Sequence, residues 1–468
     1  MKLNLLVASS LLFASAQVLG DDTVAAQLKE QEQRIKVLER KLELQEEAKT
    51  AAASNAVVRV SPAGFSIQSG DGRNVITLHG NFAFDGRWFS DQSTPIAADT
   101  WLVRRARPYF EGTINDIYDF RLMPDFAGGK AIIQDAYVAA RLKSWAAIQA
   151  GKFKAPVGLE RLQREQYSRF MELGLTSDLL PYRDLGLQFS GAVLNGTVNY
   201  AIGYFNGTID GVSSDSNTPT ADGDNDGKKE IAARVFLQPF LNSENFYLRG
   251  LGFGVGGTTV NSTGSGTNAL LPSYKTPGQQ TFFSYRANTA TGGAPNNATY
   301  TDGERRRFAP QAYYYVGPLG VIAEYVHEAQ GVSRQISAAV KNSASLDQRA
   351  WQVSAAYFLT GEEETYTGFT PNNNFTIGKP GWGAWEIVAR IHELKLDDAA
   401  FAGGANSFAD PATQANRARA TGGGVNWYLN QNVKWQLNFE RTKFTGGAAG
   451  GNDRPQEKAI LTRFVLVF

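Results

Sequence analysis

From Asn74 onwards, apolar and polar positions along the chain alternate with a period of two. In Val75–Phe89 the residues Ile76, Leu78, Phe82, Phe84 and Trp88 share one side, and His79, Asn81, Asp85 and Arg87 the other, as expected of a strand whose successive side chains point to opposite faces. The dyad recurs in residues 231–237, where Ile231, Ala233, Val235 and Leu237 oppose Arg234 and Gln238, and again in residues 385–391 and 433–439. An apolar face against a charged one is the wall pattern of a transmembrane barrel, with the apolar side turned to lipid.

This periodicity predicts an all-β, antiparallel transmembrane barrel of about sixteen strands. They begin near Val75, Leu102, Tyr118, Ala131, Trp145, Asp184, Asn195, Glu230, Phe246, Arg306, Leu319, Gln348, Trp382, Arg417, Asn432 and Glu457. A further candidate, residues 281–287, would give an odd count and is assigned to a loop. Tight turns are expected at Asn115-Asp116, Lys143-Ser144, Leu194-Asn195, Gly317-Pro318 and Asn430-Gln431, and long loops at 155–183, 206–229, 261–304 and 397–416. Short and long connections thus alternate between the two ends, with residues 361–380 long on the short side. The final alternation, Ile460, Thr462, Phe464, Leu466 and Phe468, predicts a strand that closes the barrel against the first.

The N-terminal part reads differently. Val24, Leu28, Gln31, Ile35, Leu38, Leu42 and Gln45 follow alternating steps of four and three, the seam of a short α-helical coiled coil. So short a helix needs partners to bury its stripe; the plainer alternative is one solvated amphipathic helix. Ahead of it, Met1-Lys2 and the apolar run that follows, with small residues at 14–16 and 18–20, have the layout of a signal peptide. The expected organisation is therefore 1–20 signal peptide, 21–50 coiled coil, 51–73 linker and 74–468 barrel.

Composition narrows the picture. There are no Cys, which excludes disulfides, thiolate metal sites and a Cys nucleophile. The 46 basic residues nearly cancel the 45 acidic ones, a balance of +1 that gives no global attraction to nucleic acid. After the first residues no stretch approaches the roughly 18 to 20 apolar residues of a spanning helix, so a membrane reading requires a closed sheet. Neither a cofactor nor a metal is expected.

Several ordered segments carry a resemblance. Residues 103–112 (VRRARPYFEG), 134–137 (QDAY), 151–160 (GKFKAPVGLE), 360–362 (TGE) and 383–386 (GAWE) resemble the phosphate-selective porin O and P family over roughly Asn74 to Phe468. The resemblance implies a non-enzymatic channel in the Gram-negative outer membrane, a homotrimer of barrels set in outer-membrane lipid, and an inward-folded third loop to which arginines lead anions. The coiled coil would then lie in the periplasm. The chain departs from the family in placing Arg107 at the fourth position of its arginine run, which leaves phosphate, pyrophosphate and a broader anion range open.

Strand parity gives candidates for the anion pathway. Arg87, Arg105, Arg107, Arg121, Arg234, Arg390 and Arg463 fall on lumen faces, and Lys154, Arg161, Arg164 and Arg169 lie in or beside the third loop, with Glu160, Glu165 and Glu172 among them. Planar guanidinium donors suit phosphate-like anions, and successive arginines permit transfer without over-tight binding. Arg104 and Arg349 share the apolar parity and are expected at the outer rim. The alternative for each arginine is simple pairing with an acid, as in a general, weakly selective porin that also tethers the envelope through its coiled coil. A remote alternative is a barrel hydrolase using His79, His327 or His392. The acidic run Asp222 to Asp226 has the start of a calcium-loop spacing but Ala233 where the closing Glu belongs.

Overall fold

The computed structural model describes residues 21–62, 64–90, 98–213, 222–291 and 294–468; the signal-peptide segment lies outside them. Sixteen antiparallel strands form one ring: β1 Val75–Phe89, β2 Thr100–Ile114, β3 Tyr118–Asp125, β4 Ile132–Lys143, β5 Ala146–Lys154, β6 Arg183–Val193, β7 Val198–Phe205 and β8 Glu230–Leu237. They continue as β9 Leu251–Thr263, β10 Thr299–Val316, β11 Leu319–Gln335, β12 Lys341–Phe358, β13 Ala384–Lys395, β14 Ala415–Tyr428, β15 Val433–Gly446 and β16 Glu457–Val467. Each pairs with its neighbours in sequence, and β16 closes on β1 from Ala459↔Phe89 to Val467↔Asn81. Closure leaves no unpaired edge, the condition for a sheet in lipid.

The face assignment follows the dyad. Phe82 and Phe84 are exposed while Asn81, Asp85 and Arg87 are buried inside; in β8, Ile231 and Val235 are exposed on the outer face. Trp101 lies outside near the long-loop end, and Trp145, Tyr247 and Trp382 near the short-turn end, as expected of aromatic belts at two membrane interfaces. Among the described residues no helix is long and apolar enough to cross a membrane. The turns Asn115-Asp116 and Leu194-Asn195 each place both residues at positive φ, the twist-matched geometry of tight hairpins.

The N-terminal segment forms one helix, α1, Asp21–Ser54, whose residues 26–47 are exposed. Arg34 pairs with Glu30 at 3.0 Å along its surface. The helix continues through the Ala-rich residues 51–54 of the expected linker, because alanine has the highest helix propensity. Within 51–73 there are also two short strands, Val57–Ser61 and Gly64–Gln68.

Among the connections that fold into the barrel, three shape the passage. The third long loop, residues 155–182, turns inward at Gly158, whose φ of 83° suits a residue without Cβ. Its Leu159, Phe170, Met171, Leu175 and Leu179 are at most 2% exposed. A hairpin of Ser273–Lys275 with Thr281–Ser284, from the segment assigned to a loop, brings Tyr274, Phe282 and Phe283 over it in the same apolar cluster as Leu175 and Leu179. From the opposite end, the connection between β12 and β13 sends the Tyr366 hydroxyl to the Leu159 carbonyl at 2.6 Å.

Candidate functional site

The site begins with an irregularity in β2. Against β1 the register steps from Ala83↔Arg105 to Phe84↔Val103, so Arg104 is the extra residue of a β-bulge. Trp101 and Val103 are exposed before it, Pro108 and Phe110 after it, so the parity of the lipid face switches there. Arg104 therefore points inward and not to the outer rim, donating to Glu172 at 3.0 and 3.1 Å. Arg349, by contrast, is exposed.

Below the bulge, Arg105 and Arg107 converge on Glu165 of the third loop. Arg105 Nε lies 2.9 Å from its carboxylate, Arg107 Nη1 and the Tyr182 hydroxyl donate to it, and Arg183 Nη1 reaches it at 3.4 Å. Arg107 also binds Asp125 at 2.6 Å, and Arg183 binds Asp135 at 2.7 Å. Burial alone would raise the Glu165 carboxyl, but the guanidiniums of Arg107, Arg105 and Arg183 outweigh it and hold it well below the usual range. Glu172 is held low in the same way by Arg104, Arg463 and Arg87 against its own burial. Both loop carboxylates are thus anionic counter-charges to wall arginines.

Two cavities meet at this cluster. One, of about 660 Å³, opens towards the long loops and is lined by Arg104, Arg105, Arg161, Glu172 and Asp178 among others. The second, of about 310 Å³, lies towards the short turns and is lined by Tyr109, Arg121, Tyr137, Lys154 and Arg164 among others. Arg107 and Glu165 line both. These two residues and their neighbours form an eyelet between the chambers.

The remaining candidates separate by position. Arg161 faces the upper chamber but donates to the Ser177 carbonyl and stacks on Tyr182 at 4.7 Å. In the lower chamber Arg121 pairs with Glu111, Lys154 donates to the Gln163 carbonyl at 2.8 Å, and Arg164 is exposed with no ion pair among the described residues. The others brace the loop or pack the lumen. Arg87 and Arg463 grip Glu172 at 2.7 and 2.9 Å. Arg390 binds Glu440 at 2.6 Å and the Glu172 carbonyl at 2.8 Å, and Arg169 binds Glu364 at 3.1 Å. Arg234 bonds Gln311 at 3.0 Å and lies over Phe236, outside both chamber linings.

Sequence reading missed Tyr182 and Arg183, which sit at the junction of loop and strand where parity has no meaning. It also missed Arg305 and Arg307, buried on β10 with Glu230 and Asp210. The histidines are spread apart: His79 stacks on Tyr109 and faces Glu111 at 3.1 Å, His327 faces Asp347 at 3.3 Å, and His392 Nδ1 accepts from the Leu175 amide at 2.9 Å. In the acidic run, Asp222 meets Lys152 at 2.5 Å, Asp224 meets Lys229, and Asp226 accepts from Ser262 at 2.8 Å. No group of residues suited to a metal occurs among the described residues.

Residues 76–468 match the family described as phosphate-selective porin O and P. Porin O of Pseudomonas aeruginosa is 23% identical over 447 residues, spanning 90% of this chain and 96% of that protein. Among solved structures, the outer membrane channel DcaP of Acinetobacter baumannii aligns with a TM-score of 0.50 at 10% identity, covering 87% of this chain and 100% of that one. In-vitro folded OmpT of Vibrio cholerae, in its trimer form, aligns at 0.50 and 10%, covering 84% and 99%. The two structures speak to the fold alone, whereas the family match spans the whole barrel: the chain is an outer-membrane β-barrel porin of the Gram-negative type and belongs to the phosphate-selective porin O and P family.

Proposed function

We propose that this porin gives passive, anion-preferring diffusion of phosphate or polyphosphate-like solutes, as a homotrimer whose N-terminal helices associate as a periplasmic coiled coil. The observation that carries the reading is the eyelet, where Arg105, Arg107 and Arg183 surround the passage between the two chambers. Guanidinium forks match the oxygens of phosphate-like anions. Arg161 above, and Arg121, Lys154 and Arg164 below, extend positive lining to either side, which lowers the barrier to entry and exit. Arg87, Arg169, Arg234, Arg390 and Arg463 support the passage by fixing the loop or packing the lumen. The relatives' descriptions, Porin O and a trimeric OmpT, agree with channel and oligomer.

One observation favours a second reading, a general and weakly selective porin with an envelope tether: most lumen arginines are paired with carboxylates. Reversal potential across a KCl gradient in planar bilayers separates the two. Anion preference that Arg105→Ala and Arg107→Ala reduce supports the first; equal permeability of K⁺ and Cl⁻ in the unaltered protein retires it.

A further inference from the structure

Glu165 differs from the other loop acid gripped by arginines, Glu172, in lining both chambers. Its cradle is built from the wall, with Arg105 and Arg107 on β2 and Arg183 at the start of β6, plus Tyr182 beside it. The carboxylate itself is carried by the third loop, in the single turn Glu165–Tyr167 between extended neighbours. Glu172, the other loop acid gripped by arginines, lines the upper chamber alone, and its backbone carbonyl is held by Arg390. Glu165 lies on the route between the chambers.

We propose that Glu165 is a tethered competitor, whose carboxylate fills the oxyanion seat formed by Arg105, Arg107, Arg183 and Tyr182, and that an anion in transit takes this seat by exchanging with it. The proposal rests on the anion-diffusion reading above and adds to it a residue that sets specificity. A carboxylate and a phosphate offer the same kind of oxygens to a guanidinium fork, so donors that hold one are placed to hold the other. Charge supports the exchange. Asp125 and Asp135 offset the three arginines only in part, Asp135 being shared with Arg121, which leaves positive charge for Glu165 or a passing anion to neutralise. A seat with no internal competitor would hold a multiply charged anion too firmly for release, and conduction requires weak or shared binding. Because the competitor carries a single negative charge, multivalent oxyanions displace it more readily than chloride does.

The test is Glu165→Gln in the full-length porin, reconstituted in planar bilayers, with inorganic phosphate as the added anion. Two readouts are taken: reversal potential in a KCl gradient, and the phosphate concentration that halves the KCl current. The expected result is a shift of reversal potential towards Cl⁻ preference and a half-blocking concentration lower by roughly tenfold, the worth of one charge-assisted hydrogen bond. If Glu165 only braces the loop, the variant changes conductance but leaves both readouts unmoved, and the proposal falls. A cation-preferring unaltered porin defeats the diffusion reading itself, whereas an anion-preferring one that Glu165→Gln leaves unchanged defeats the competitor alone. Should Glu165→Gln fail to give a heat-modifiable barrel, Glu165→Asp retains the charge on a shorter arm, and the same shifts are expected at smaller size.

Discussion

Arg463 on β16 and Asp85 on β1 are cross-strand partners at the seam where the barrel closes, joined by two hydrogen bonds of 2.6 and 2.8 Å. Their side chains are 1% and 0% exposed. Removing Asp85 leaves Arg87, Arg104 and Arg463 sharing Glu172, an excess of buried positive charge at a cost of about 3 kcal/mol or more. Asp85→Asn is therefore expected to lower barrel stability by about that amount in urea unfolding. Asp85→Leu combined with Arg463→Met should cost less than either single change, and equal or larger losses in the double variant would contradict the argument.

The bulge at Arg104 makes an unusual variant informative. Deleting Arg104 would leave Val103 directly before Arg105, with Trp101 and Val103 still outside and Arg105 still inside, so the ladder becomes regular. The deleted protein is expected to form a heat-modifiable barrel. Loss of folding on deletion would show that the Arg104–Glu172 contact outweighs the register.

Asp178 on the inward loop gives a pH dependence of known sign. Burial pushes its carboxyl up from 3.8 to about 7, against the opposing pull of Arg161. A docked loop that favours the protonated acid is fully stabilised below about pH 4 and loses that contribution as pH rises through about 7. Deuterium uptake by residues 174–180, corrected for intrinsic exchange, should be slower at pH 5 than at pH 8.5, and Asp178→Asn should abolish the difference. Glu165 and Glu172, held low, act oppositely, and their ion pairs weaken only as pH falls below the ordinary 4.5.

Deleting residues 24–45 removes the stripe of Leu28, Ile35, Leu38 and Leu42, all exposed on α1. If these residues bury one another between subunits, the oligomer of the shortened protein dissociates at a lower temperature in detergent gels. Unchanged heat resistance would instead make α1 a solvated helix.

Much of the wall was legible in the sequence. Strands expected near Val75, Tyr118, Glu230, Leu319 and Glu457 begin at those residues, because lipid on one side and water on the other impose a strict dyad. The beginnings expected near Gln348 and Arg306 lie earlier, at Lys341 and Thr299; in the first of these extensions the exposed positions Lys341, Ser343, Ser345 and Asp347 are polar and show no lipid-facing stripe. Arg104 was misplaced because a bulge shifts parity by one without any mark in composition. Inside the barrel, local pattern has little purchase. Arg105 and Arg107 were placed by parity, but their convergence on Glu165, some sixty residues further on, and the descent of Phe282 and Phe283 over the third loop are long-range events.

The third loop also bears on how the barrel forms. Its amides and carbonyls bond to Glu324 on β11, His392 on β13, Asn426 on β14, and Lys434 and Asn438 on β15, all synthesised long after the loop itself. Until those strands arrive, these backbone groups lack their native partners. Docking of the loop and closure of the ring are therefore expected to occur as one late, cooperative step, slowed by the long chain segments that must first be brought together.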